Sequence, residues 1–152
     1  MTNEALQEKI TALLPAATFE EGAQWLTVNV EPADWHSFAS TLKTDAALEF
    51  NYLFCLTCID WKTNLTMVYH LDSTKFRHVL VVKSKLPAVN PEIETVSDIW
   101  KTAEFHEREV FEMFGVNFLH HPDLRLLILP DGWEGKKPLL KNFEDPINMI
   151  KL

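Results

Sequence analysis

The sequence predicts an α+β fold: a small, mostly antiparallel sheet covered by helices and followed by a long extended C-terminal tail. Three observations predict it. Apolar residues recur at helical spacing near the N-terminus, after Pro32 and before Gly115. Between the second and third of these stretches lie three apolar runs joined by short turns, the pattern of an antiparallel meander. After Gly115, prolines at 122, 130, 138 and 146 leave no interval long enough for a helix stable on its own. Residues 1–115 are therefore read as the globular domain and residues 116–152 as the tail.

Thr2 or Asn3 can cap a first helix bearing Leu6, Ile10, Leu13 and Leu14, which Pro15 closes. Thr18 and Phe19 and then residues 24–30 flank Glu20-Glu21-Gly22, a hairpin turn in which Gly supplies the unusual backbone conformation. Pro32 sits at a first-turn position, and Trp35, Phe38, Ala39 and Leu42 form the stripe of a second helix. Residues 51–60 are apolar on both faces, with Leu53, Cys55 and Ile59 against Phe54, Leu56 and Cys58, as expected of a central strand covered on both sides. Residues 65–72 alternate, and 76–83 continue after the Ser73-Thr74-Lys75 turn. Pro87 and Pro91 break the pattern. A helix resumes near Ser97, with a break near Thr102, and runs to Phe114, where Gly115 is a natural left-handed terminator.

The 152 residues include 14 Lys+Arg against 22 Asp+Glu, a net charge of -8, and 47% are hydrophobic. A chain of this size buries roughly 70% of its unfolded surface and needs no disulfide framework. The acidic balance argues against nucleic acid, whose affinity comes from Lys and Arg neutralising phosphates. Residues 1–72 hold 3 basic and 10 acidic residues, residues 73–152 hold 11 and 12, so the near-neutral second part suits a protein partner. No apolar run approaches the ~18 residues of a membrane span. The N-terminus lacks a secretory signal and there are two cysteines, so a reducing cytosolic compartment is expected.

Cys55 and Cys58 have redox or half-zinc spacing, but on a strand they point to opposite faces and no second ligand pair follows, so buried small hydrophobes are the better reading. His106-Glu107 lacks the second His of a zinc-protease helix, since position 110 is Val. His120 and His121 precede Pro122 in a turn, where hydrogen bonding to backbone is the expected role. Gly occurs only at 22, 115, 132 and 135, so no phosphate loop can be drawn. A metallo-hydrolase built from His106, Glu107, Glu109 and His121 is the alternative from another class.

Residues 104–114 are the most informative. Glu104, Glu107, Arg108, Glu109 and Glu112 are intermingled with Phe105, Val110, Phe111, Met113 and Phe114, so some of the charges must be buried. Arg108 can pair along the helix with Glu104 or Glu112, and the carboxylates can also pair with Arg125 or with basic groups of another chain. The tail that follows carries Leu124, Leu126–Leu129, Trp133, Leu139, Leu140, Phe143, Ile147, Met149 and Ile150, which must wrap the chain's own domain or lie on another protein. Contact with a partner is the favoured reading.

The run from Glu107 to Val116 (E-R-E-V-F-E-M-F-G-V), then His121-Pro122-Asp123-Leu124-Arg125 and Leu129-Pro130-Asp131-Gly132-Trp133, resembles the signature of the C subunits of proton-pumping NADH:quinone oxidoreductase, respiratory complex I. That family is the bacterial counterpart of the mitochondrial complex I iron–sulfur protein 3. The resemblance implies an accessory subunit of the peripheral arm with no catalytic, cofactor-binding or metal-binding residues of its own, FMN and iron–sulfur clusters lying in partner subunits. It implies contact with the quinone-site D subunit and with the iron–sulfur subunits B, I and G, on the cytoplasmic side of the bacterial inner membrane. The residues it marks for structure or interface are Glu107, Arg108, Glu109, Glu112, Phe114, Gly115, His121, Pro122, Asp123, Arg125, Pro130 and Trp133. An equivalent scaffold subunit of a membrane-bound hydrogenase is the related alternative. The sequence departs from the family pattern at Leu126 and over residues 136–143, where Leu140 and Asn142 replace the usual Arg and Asp.

Overall fold

The structure is a computed structural model that describes residues 2–147. Met149 and Ile150, named above among the apolar tail residues, lie outside the described residues. The first helix, α1 (Asn3–Leu13), begins where the Thr2 hydroxyl accepts the Ala5 N–H. A hairpin of β1 (Thr18–Glu20) and β2 (Leu26–Asn29) follows, then α2 (Pro32–Thr44) with its proline at the first turn. The meander is β3 (Tyr52–Asp60), β4 (Asn64–Ser73) and β5 (His78–Pro87). Two short strands, β6 (Glu92–Glu94) and β7 (Asn117–Leu119), enclose the third helix, α3 (Ala103–Phe114).

The five-stranded sheet runs β1-β2-β5-β4-β3. Its pairings are antiparallel except β2 on β5, which are parallel, so the sheet is mixed. Alternation along the strands sends Leu26, Val28, Met67, Tyr69, Leu71, Leu80 and Val82 into one core with Leu6 and Ile10 of α1 and Trp35, Phe38 and Leu42 of α2. Trp35 is fully buried, its ring 4.4 Å from that of Tyr69. Truncating such a side chain to Ala costs about 3–5 kcal/mol.

Two expectations are corrected. First, β3 is the edge strand, not a central one. Its register shifts at a bulge between Leu53 and Cys55, so that Leu53 and Leu56, three apart, are both buried. The shift of phase is what mimics a strand covered on both faces. Cys58 falls on the core side and Cys55 on the other, as alternation after the bulge requires. Second, the helix does not begin near Ser97. Residues 97–102 are turns in which Trp100 Nε1 donates to the Phe50 carbonyl and Thr102 Oγ1 to that of Leu53, fastening the start of α3 beside the bulge.

Strands β6 and β7 pair in parallel across α3. Three residues each, they are too short to show a period in the sequence, and their partners are about 25 positions apart. Val116 and Phe118 are buried, so core residues continue past Gly115. Where an extended tail was expected, the chain from 120 to 147 contains turns and bends only and folds back on its own domain, Leu124 and Leu140 packing against the core. The Leu139 N–H donates to the Met113 carbonyl at 3.1 Å, and the Lys141 N–H to Asp60 Oδ2 at 2.7 Å.

Candidate interface site

Helix α3 buries Glu107, Arg108 and Glu112. None of them spends its charge on the ion pairs expected from helical spacing. Arg108 Nε donates to the Arg125 carbonyl at 3.2 Å and Nη2 to the Leu126 carbonyl at 2.6 Å, while its guanidinium lies 5.7 Å from the centre of the Phe105 ring. Glu112 accepts the N–H groups of Leu127, Ile128 and Leu129 at 2.9, 2.9 and 3.2 Å. One helical turn of α3 thus holds carbonyls with a cation and amides with an anion along consecutive residues of the same returning chain. Hydrogen bonds to charged groups contribute about 1.5–3 kcal/mol each, enough to order a segment that has no secondary structure of its own.

Glu107 faces the other way. Its carboxylate accepts the Val96 N–H at 2.8 Å and the Thr95 hydroxyl, and lies 3.8 Å from His121 Nε2, both side chains being fully buried. Burial pushes its pKa up from 4.5 to about 7, against the lowering effect of those two hydrogen bonds. His121 donates through Nε2 to the Glu104 carbonyl and accepts the Asp123 N–H at Nδ1, the backbone role expected of both histidines, whereas His120 instead bonds the Glu94 carboxylate through Nδ1.

The remaining sequence-marked residues fall around this clamp. Glu109 and Pro122 are exposed, and Phe114 is half-buried against the core. Gly115 ends α3 with φ +79°, and the Lys137 side chain crosses it so closely that an added Cβ would collide with Lys137 Cε. Arg125 pairs with Asp123 at 2.8 Å on the surface, not with a helix carboxylate. Pro130 turns the chain, its carbonyl accepting the Trp133 N–H, and Trp133 packs 6.3 Å from Phe143 and under Lys136. Between α3 and the returning chain is a cleft of about 570 Å³ lined by Phe111, Leu124, Leu126, Glu134 and Lys137 among others. Outside the clamp, Leu127, Ile128 at 60%, Leu139 and Ile147 at 88% exposure present apolar surface.

Among the described residues, no three or more His, Cys, Asp or Glu side chains group as a metal site; of His106, Glu107, Glu109 and His121, Glu107 and His121 meet, and the four do not converge. No described helix is long and apolar enough to cross a membrane. Sequence reasoning missed Thr95, Asp60 and Lys137. Asp60 alone carried a local signal, since Asp60-Trp61-Lys62 forms an Asx turn in which the Lys62 N–H binds Oδ1 at 2.6 Å.

This fold is shared with a chain of the membrane-bound sulfane sulfur reductase, an archaeal respiratory membrane complex (TM-score 0.81, 27% identity, covering 93% of this chain and 85% of that one). Residues 28–146 match the family described as "Respiratory-chain NADH dehydrogenase, 30 Kd subunit", and the chain belongs to that family. It is 41% identical over 113 residues to the fused C/D subunit of the NADH-quinone oxidoreductase of Phocaeicola vulgatus, a match over 73% of this chain and 22% of that much longer protein. To the C subunit of the F(420)H(2) dehydrogenase of Methanosarcina mazei it is 32% identical over 149 residues, 95% of this chain and 93% of the relative.

Proposed function

We propose that the chain is an accessory, cofactor-free subunit of the peripheral arm of a proton-translocating NADH:quinone oxidoreductase, and that its function is to present a rigid docking surface to neighbouring subunits. The observation that carries this reading is how Arg108 and Glu112 are used. Their charges are consumed by backbone groups of residues 125–129, which leaves the side chains of Leu127 and Ile128 exposed on an immobilised ridge. An ordered, exposed apolar ridge is a surface for another protein.

The fusion of C and D in the Phocaeicola relative supports the quinone-site D subunit as the principal partner, with the iron–sulfur subunits B, I and G beside it. Electron transfer then belongs to the complex, with FMN and clusters held by partners, and the chain lies peripherally on the cytoplasmic face of the membrane. A second reading is favoured by the Methanosarcina relative and the sulfane sulfur reductase chain: the same scaffold in a complex fed by a donor other than NADH, as in membrane-bound hydrogenases. Tagging the full chain, solubilising membranes gently and identifying the co-purifying polypeptides tests both. Flavin and iron–sulfur subunits with NADH-dependent quinone reduction support the first, and hydrogenase-type subunits without that activity support the second. Recovery of a lone monomer would reject both.

A further inference from the structure

Glu107 is the most deeply buried carboxyl of α3 and has no Lys or Arg within 4 Å among the described residues. The groups facing it are Glu104 one turn earlier on α3, Asp98 in the turns before it, Tyr69 on β4 and His121 from the returning chain. Glu104 and Asp98 disfavour its charge, and His121 already has both ring nitrogens engaged as a neutral tautomer would, Nε2–H donating and Nδ1 accepting.

The hydrogen-bond network has a place for a proton. Thr95 Oγ1 lies within hydrogen-bond distance of Glu107 Oε2 and, at 2.9 Å, of Ser97 Oγ, yet the hydroxyl has a single proton to give. With Glu107 ionised, Thr95 donates to the carboxylate. With Glu107 protonated, the carboxyl O–H donates to Thr95 Oγ1, which turns its own proton to Ser97 Oγ, while Glu107 Oε1 still accepts the Val96 N–H at 2.8 Å. Both arrangements keep every partner in place, and only the second removes an uncompensated charge from the interior.

We propose that Glu107 is a proton-binding site, held as the neutral acid at the junction of α3, the Thr95–Ser97 turn and the His121 turn, so that proton uptake tightens this junction. A folded-state pKa raised to about 7 from 4.5 means the native chain binds the extra proton, so stability is greatest below the unfolded value and is lost as pH rises through about 7. Proton binding at Glu107 does not depend on the docking role.

The test is the unfolding midpoint of the full chain from pH 5.5 to 8.5, for the native sequence and for Glu107→Gln, whose amide reproduces the neutral acid's donor and acceptor. The native midpoint should fall as pH rises, and Glu107→Gln should lose most of that slope. Equal slopes would overturn the proposal. Infrared spectra of the native chain at pH 6 supply an independent reading should the variant fail to fold. A protonated-carboxyl carbonyl band that titrates near neutrality supports the proposal, and absence of that band at pH 6 overturns it.

Discussion

Glu112 Oε1 on α3 accepts the backbone N–H of Ile128 at 2.9 Å, sixteen residues further along the chain. The other oxygen takes the N–H groups of Leu127 and Leu129. A single carboxylate therefore fixes the backbone of three consecutive aliphatic residues, of which Leu127 and Ile128 are exposed.

Glu112→Ala removes both oxygens that accept the three N–H groups, and Glu112→Gln keeps one of them. The loss should fall on the returning chain while the sheet stays intact. Proteolytic cleavage within 122–130 should accelerate at least tenfold for Ala and less for Gln, with far-ultraviolet circular dichroism unchanged. Cleavage at the native rate in Glu112→Ala would show that the clamp contributes little.

Arg108→Ala strands the carbonyls of Arg125 and Leu126, a cost of about 1–3 kcal/mol for each that remains buried. The amount of assembled complex should fall, while the turnover of each complex that forms stays near normal. Normal assembly with lost turnover would assign Arg108 to chemistry instead.

Gly115→Ala and Gly22→Ala both force Ala into the left-handed region, at about 1–2 kcal/mol. Only at Gly115 does the new methyl also displace Lys137. Gly115→Ala should therefore be the more destabilising, and Lys137→Ala in the same chain should remove the excess, a coupling read from unfolding midpoints.

Backbone N–H groups of Lys141 and Lys62 hold the Asp60 carboxyl below its ordinary value. Its contribution is thus present above the unfolded pKa and lost as pH falls through the lower folded one. The contact between residue 141 and β3 should loosen on acidification below about pH 4, the ordinary carboxylate range. Hydrogen exchange at the Lys141 amide reports it, and Asp60→Asn should abolish the pH dependence.

Burial pushes the Cys58 thiol up to about 12 and raises that of Cys55 as well, with the two on opposite sides of β3. Both should resist alkylation at pH 8 in the folded chain and react once it is unfolded, as followed by mass spectrometry. A disulfide between them in the native chain would contradict the assigned register.

The helices were legible where they announce themselves locally, Thr2 and Pro32 at starts, Gly115 at an end, apolar stripes between, whereas the start of α3 was not, because bonds to the distant carbonyls of Phe50 and Leu53 hold residues 100 and 102. The edge position of β3 was not, since a bulge shifts the phase of an otherwise readable alternation. The parallel pairing of β2 with β5 joins residues more than fifty positions apart, and no local pattern encodes it. At the site, the mixed placement of charges on 104–114 showed that some were buried. It could not show what they bind, because the partners of Arg108 and Glu112 are backbone groups, which every residue carries alike.

The ridge held by Arg108 and Glu112 is the docking surface proposed above. Its most direct test compares the native full chain with a Leu127→Asp, Ile128→Asp double variant, both tagged and expressed in the same cells. The unfolding midpoints should agree, because these side chains are exposed. The native chain should recover the quinone-site and iron–sulfur subunits, and the variant should recover less than a tenth as much. Equal recovery of partners by the two would show that the ridge is not a docking surface.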